Sequence, residues 1–363
     1  MINYKKGRVI DIHKKYNSVT ELLVEVEGVP QKAANFDKLT GLVQVGDDVL
    51  LNTTAVDLKL GSGGYHFVVS INNRTPVFYD EAEKGHIMKL RYTPLQFSVL
   101  SAEEQESRYH SVFDSFEGLN SMPVIIGELH SMILPVVFNA ININPNISIS
   151  YIMTDGGALP IDFSKTVSFL KQKGLINGTI TFGQAFGGDV ETVNVYTALI
   201  ASDKILKSDM SIITMGPGIT GTGTKYGFSG IEQGYIIDAV NTLGGNPIFI
   251  PRISFTDKRE RHYGISHHSI TILNEICKTS AKVILPKFEG KKMNRIMQQL
   301  KQTQIEKKHK LVIMEDIIGI KENILGFDYN VNTMGRNLDK DTEFFLTAGA
   351  AGYYAAKLEM QGI

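Results

Sequence analysis

The densest chemistry in the chain lies in Phe255-Thr256-Asp257-Lys258-Arg259-Glu260-Arg261-His262-Tyr263-Gly264-Ile265-Ser266-His267-His268. The imidazoles of His262, His267 and His268 suit proton transfer near neutral pH, or a metal ion. Arg259 and Arg261 suit two-point contacts to a carboxylate or phosphate. The same residues also make an ordinary surface loop laced with salt bridges. The stretch is long for a strand-to-helix loop, which suits a lid that closes on a ligand. His267 and His268 adjoin, so at a helix start their rings are expected to diverge rather than face one ion. A metal site built with His130 and an aspartate stays open. Neither a metal nor a cofactor is specified by the sequence.

A second set is Gly216-Pro217-Gly218-Ile219-Thr220-Gly221-Thr222-Gly223-Thr224-Lys225-Tyr226-Gly227. It follows a buried strand pattern, Met210–Met215, and precedes helical spacing through Ile231, Tyr235, Ile236, Ala239, Val240 and Leu243. Bare backbone N–H groups at Gly216, Gly218, Gly221 and Gly223, with the hydroxyls of Thr222 and Thr224, favour an anion. The string matches the dinucleotide pattern of glycines, but Pro217 stiffens the turn and the expected acidic residue is missing. Lys225 is displaced from the place a phosphate-loop lysine takes. A phosphate or carboxylate held by backbone alone needs neither motif. Asp155 and Asp189 each end a strand beside paired glycines; they read as ribose or metal ligands, as bases, or as helix caps. Gln184 follows a third strand, and Arg252 opens the histidine-bearing loop. No Gly-x-Ser-x-Gly elbow is present, and Ser131 and Ser266 only adjoin histidines in sequence.

These groups need a scaffold. Continuous apolar runs at Val124–Glu128, Ile147–Thr154, Thr179–Gly183, Met210–Met215, Pro247–Ile253, Ala281–Leu285 and Lys310–Met314 alternate with helical patterns. That is the pattern of an α/β domain, doubly wound on a mainly parallel, Rossmann-like sheet. Ligands of such sheets bind at the carboxyl ends of the strands. The loops after five of these runs carry the polar groups, and the loops at the other edge are ordinary turns. Residues 1–75 read as a small antiparallel β-barrel, 76–84 as a linker, and 85–363 as the α/β domain with the site. Pro94 is expected to open a helix through Phe97, Leu100 and Glu104. Lys287–Lys310 reads as a basic, solvated surface helix. Gly349-Ala350-Ala351-Gly352, inside a helix over Asp341–Glu359, allows close packing within the domain or in a homodimer.

Lysine and arginine number 37 against 38 acidic residues, a net charge of −1. Bulk charge gives no argument for nucleic acid or an anionic membrane surface. No apolar run reaches the roughly 20 residues of a membrane helix, and no secretory leader is evident, so a cytoplasmic location is expected. The single cysteine, Cys277, excludes an intrachain disulfide and reads as a buried small hydrophobe.

Leu51-Asn-Thr-Thr-Ala-Val-Asp-Leu58, Gly63-Gly-Tyr-His-Phe67, His86-Ile-Met-Lys-Leu-Arg-Tyr-Thr-Pro-Leu-Gln96, Met153-Thr-Asp-Gly-Gly-Ala-Leu-Pro160, Gly183-Gln-Ala-Phe-Gly-Gly-Asp189, Gly216-Pro-Gly-Ile219, Gly221-Thr-Gly-Thr224 and Ser266-His-His268 stand out together. With them the chain resembles an uncharacterised bacterial family, domain-of-unknown-function family 3866, over nearly its whole length. The resemblance implies no activity. From the residues, the expected partner is a small anionic molecule. One reading is an enzyme in which His130, His267 or His268 moves protons with Asp155 or Asp189. The other is a ligand-binding or regulatory protein with the same pocket. A histidine and an aspartate from different loops meeting at hydrogen-bond distance beside the glycine stretch favour the enzyme; glycines, threonines and arginines alone favour binding.

Overall fold

The computed structural model describes residues 2–78 and 85–361. Residues 79–84 of the expected linker lie outside them. Two compact units result: Met1–Val99 with Asp162–Ser168, and Leu100–Ile161 with Phe169–Ile363.

The first unit is built on a closed five-stranded barrel, β1 (Tyr4–Tyr16), β2 (Val19–Val26), β3 (Val29–Phe36), β4 (Asp48–Asn52) and β5 (His66–Ile71), in the order β1-β2-β3-β5-β4. Val9, Leu22, Val24, Leu51 and Val68 fill it. Closure removes the exposed strand edges that a small sheet otherwise presents. The barrel is not wholly antiparallel, because β3 runs parallel to β5. β3 itself is not evident from the sequence: Pro30, two alanines and Asn35 hide its alternation. Asn35 is buried among polar partners. It donates to Asp37 at 2.8 Å and to the Gly41 carbonyl at 2.9 Å, and accepts from Thr40 at 2.6 Å. The expected helix after Pro94 does not form. Leu90 and Tyr92 take the left-handed region, φ 49° and 61°, and turn the chain back. Phe97–Val99 then pairs with Ile87–Lys89.

The second unit holds an eight-stranded sheet, parallel throughout: β6 (Pro123–Gly127), β7 (Ile149–Thr154), β8 (Gly178–Phe182), β9 (Val190–Thr192), β10 (Met210–Met215), β11 (Asn246–Ile250), β12 (Lys282–Pro286) and β13 (Lys310–Met314). The order is β9-β8-β7-β10-β6-β11-β12-β13. Only β9 went unread, since three residues joined to β8 without a helix leave no pattern. Strand connections part in opposite directions at two places. β7 continues outward to β8 while its neighbour β10 continues towards β11. β6 continues towards β7 while its neighbour β11 continues to β12. Such divergence opens a crevice at the carboxyl ends.

Helices cover both faces, as right-handed crossovers in opposite directions require. Helix α1 (Ile133–Ile143), between β6 and β7, packs on the last helix, Thr342–Gln361. Helices α2 (Val195–Lys204) and α3 (Gln233–Thr242), on the return connections, pack on each other. No helix among the described residues is long and apolar enough to cross a membrane.

The Gly349–Gly352 stripe is used inside this unit. A Cβ on Gly352 would stand 2.1 Å from the carbonyl oxygen of Val136 in α1. Backbone thus meets backbone, and no rotamer change relieves a clash there. Gly352→Ala is expected to destabilise the chain by about 2 kcal/mol or more, read as a lower urea midpoint. An unchanged midpoint would contradict this packing.

In the barrel, Asp47 is buried and takes two contacts from Arg74, Nε to Oδ1 at 2.8 Å and Nη2 to Oδ2 at 2.7 Å. Burial works to raise the Asp47 pKa, but Arg74 and the Gln44 N–H outweigh it and the net shift is downward. A depressed carboxylate stabilises the fold above its unfolded pKa of about 3.9, and that stability is lost as pH falls through the lower folded value. The thermal midpoint of Arg74→Gln should therefore lie below wild type at neutral pH. The gap should narrow on acidification below about pH 4. A gap independent of pH would show that Arg74 acts by packing alone.

Candidate functional site

At the carboxyl ends of β6 and β11 the chain assembles a polar cluster around Glu128, which has no solvent exposure. Ser269 Oγ donates to its Oε1 at 3.2 Å and accepts from the Arg252 N–H at 2.9 Å. The second oxygen, Oε2, lies 3.4 Å from Nδ1 of His268. Phe228 stacks on that imidazole, centroids 3.9 Å apart and planes within 3°. On its rim, Nε2 stands 3.6 Å from where a Cβ on Gly221 would be. The His268 ring is therefore held by Glu128, by Phe228 and by the 216–228 loop.

Ser266 starts the short helix α4 (His267–Thr271), and its Oγ accepts from the His268 N–H at 3.2 Å. The same hydroxyl lies 2.8 Å from Nδ1 of His262. His267 completes the group. Ring centroids are 5.0 Å apart for His262 and His267, 5.1 Å for His262 and His268, and 4.4 Å for His267 and His268. The expectation that His267 and His268 diverge is thus wrong. The helix runs on as a π-helix, Ile272–Ile276, and the loop before Ser266 brings His262 against its first turn, so all three rings come together. Burial, then Arg252 and Arg259, push His262 down to about 3. Burial, then His268 and Arg261, push His267 down to about 4. Both are neutral imidazoles at physiological pH.

The arginines divide by role. Arg259 grips Asp257 at two points, Nε to Oδ1 at 2.9 Å and Nη2 to Oδ2 at 2.7 Å. That bond holds the Asp257 carboxyl well below the usual carboxylate range. Arg252 is buried, 3.5 Å from Asp257 and 3.4 Å from the sulfur of Met334. Burial lowers its pKa, while Glu128 and Asp257 work against that. Arg261 is exposed and has no ion pair among the described residues; its guanidinium lies about 3.5 Å from where a Cβ on Gly223 would stand. Thr220, Gly221, Gly223, Arg261, His262 and His268 help to line a cavity of about 200 Å³.

A second polar spot lies where β7 and β10 end. A Cβ on Gly157 would fall 2.4 Å from the Gly216 carbonyl oxygen, and Ala158 N donates to the Pro217 carbonyl at 2.7 Å. Gly216 is thus a packing glycine, pressed backbone to backbone. Asp155 Oδ2 accepts from Gln184 N at 3.0 Å. Nearby, Glu232 accepts from Thr154 Oγ1. Burial pushes the Glu232 carboxyl up to about 7, against the Thr154 hydrogen bond, with Asp155 adding to the rise.

Other expected residues go elsewhere. Asp189 lies beside the start of β8, not at a carboxyl end. Its carboxylate accepts from Thr179 N at 2.9 Å and Thr179 Oγ1 at 2.8 Å, and pairs with Lys171 at 2.5 Å. The chain after β8 runs back along the sheet to begin β9, which carries Asp189 to the amino edge. His130 is not one of the three converging histidines; its Nδ1 lies 3.1 Å from the Tyr151 hydroxyl, and burial takes it down to about 4. Thr222 and Thr224 turn inward: their hydroxyls are 2.9 Å apart and bond the backbone of Gly227. Gly218 is exposed at φ 105° and outside the cavity lining. Glu128, Glu232, Asp257 and Phe228 are the contributors the sequence did not single out. Glu128 ends its strand as Asp155 does, and that position was the available signal.

A wider groove of about 1050 Å³ lies at the ends of β12 and β13. Its charges answer each other, Lys287 with Glu315 at 2.7 Å and Lys292 with Glu343. It holds no histidine and no cluster of buried polar groups, so the smaller cavity is the candidate site.

No curated protein matches the sequence. A family model described as "Protein of unknown function (DUF3866)" matches residues 32–352, most of both units. The chain belongs to the DUF3866 family.

Proposed function

We propose that the chain is an enzyme acting on a small anionic molecule, phosphate- or carboxylate-bearing, in the cavity beside His268. The observation that carries this is the pairing of Glu128 with His268, 3.4 Å apart, beside the 216–228 loop. A buried carboxylate behind an imidazole fixes its tautomer and turns its other nitrogen towards the substrate side. The sequence pointed to an aspartate in this role, and the glutamate after β6 takes it.

Arg261 supplies the charge for the anion, because Arg252 and Arg259 are engaged with Asp257. The N–H groups of Gly221 and Gly223 make no hydrogen bond among the described residues and are available beside it. A cavity of about 200 Å³ has the volume of some six or seven waters at roughly 30 Å³ each. It therefore takes a phosphate or carboxylate head group, while the rest of a larger molecule stays outside. The diverging strand connections at β7–β10 and β6–β11 support a Rossmann-like reading of the sheet and of where its ligand sits.

Inorganic phosphate and small carboxylates are expected to raise the thermal midpoint, by about 2.7 kcal/mol at 100 times the dissociation constant. Arg261→Ala should weaken that binding roughly tenfold, the loss of one charge-assisted contact. Stabilisation that is equal in both proteins, or absent, would sink the anion pocket. Once a consumed metabolite is found by screening, His268→Asn should abolish turnover, and turnover surviving it would refute the role of His268.

A further inference from the structure

We propose that His262, His267 and His268 together bind a divalent transition metal of the zinc class. This deepens the reading above and rests on the same pocket being the working site.

Each residue offers one ring nitrogen, and the three lie within 4.8 Å of one another. With zinc–nitrogen bonds of about 2.0–2.1 Å, a tetrahedral ion sets its ligands ~3.3 Å apart. The rings therefore need to close by at most ~1.5 Å, a distance that small χ1 and χ2 rotations cover. Two buried nitrogens here, Nε2 of His267 and Nδ1 of His268, have no hydrogen-bond partner among the described residues, and neither has Oε2 of Glu128. Buried polar atoms are seldom left so; Nδ1 of His268 and Oε2 of Glu128 face each other at 3.4 Å, and Nε2 of His267 is left for the ion.

The groups behind the rings are those a metal site needs. An imidazole that binds a metal through one nitrogen donates from the other to a carboxylate, hydroxyl or carbonyl, which sets its tautomer. Glu128 stands behind Nδ1 of His268 at 3.4 Å, and Ser266 Oγ behind Nδ1 of His262 at 2.8 Å. Both leave Nε2 for the ion. Three protein nitrogens leave one position open, the arrangement of catalytic rather than structural zinc.

The test uses the full chain, stripped with a chelator and retitrated with Zn²⁺ and with Co²⁺. The expected result is about one ion per chain, with Co²⁺ giving the strong visible bands of a four- or five-coordinate ion. His267→Ala should remove saturable binding. If that variant does not fold, Glu128→Gln keeps every ligand and should weaken the metal roughly 10–100-fold. Arg261→Ala, with all three imidazoles intact, should keep the metal and lose phosphate. Absence of saturable Zn²⁺ and Co²⁺ binding overturns the metal site, as does binding indifferent to both His267→Ala and Glu128→Gln. Phosphate binding by such a metal-free protein would leave the anion pocket standing; metal bound without phosphate would uphold the ion and remove the anion reading.

Discussion

A carboxylate sealed from water governs the site. Taking Glu128 out of solvent costs several kcal/mol unless donors meet it. Ser269, on the first turn of α4, donates to Oε1, and the His268 imidazole on the same turn stands 3.4 Å from Oε2. Ser269 also accepts from the backbone of Arg252, just past β11. One buried charge thus ties together three segments, at 128, 252 and 266–269, that are remote in sequence. Placing α4 against the end of β6 then fixes where His267 and His268 point. Ser266, capping the same helix, draws in His262.

The parallel sheet decides where this can occur. Every strand ends at the same edge, so every following loop is delivered there. Chirality then sorts the helices by direction of travel. The connection from β6 crosses towards β7, and those from β10 and β11 travel the other way. Between β6 and β11 no crossover helix closes the edge, and Glu128 and Arg252 face that gap. The 216–228 loop arrives from β10 and lies against it through Gly221 and Phe228. Its tip is pinned by Glu275, which takes Lys225 Nζ at 2.6 Å and Tyr226 Oη at 2.7 Å. The loop is therefore held at both ends and in the middle.

Much of this was legible in the sequence, for a physical reason. A strand buried on both faces must be apolar throughout, so seven of the eight strands announced themselves. What stayed hidden depends on contacts between distant residues. Glu128 reads as the last residue of an apolar run, and nothing local says that Ser269 and His268 will meet it. The paired glycines at 156–157 and the one at 216 look like ligand loops, yet Gly157 and Gly216 are small because two backbones touch. Asp189, like Asp155, adjoins paired glycines after a strand. Only the path of the chain after β8 separates them, sending one to the amino edge. The adjacent histidines misled because the helical angle between neighbours says nothing of His262, which the loop returns to 5.0 Å from one ring and 5.1 Å from the other.

Charge joins the two halves of the functional reading. Around the three imidazoles stand three guanidiniums, Arg252, Arg259 and Arg261, and two carboxylates, Glu128 and Asp257. Three guanidiniums against two carboxylates leave one positive charge, and Arg261 is the guanidinium with no ion pair among the described residues. A divalent ion on the histidines raises that excess to three. An excess of that size in a partly enclosed cavity cannot stand without counter-charge. On the proposed reading a substrate anion beside the ion would supply it, with Arg261 as its second contact. The proposed metal and anion would then favour each other's binding. Reciprocity of that kind belongs to a site whose ligand is drawn to the ion rather than merely stored near it.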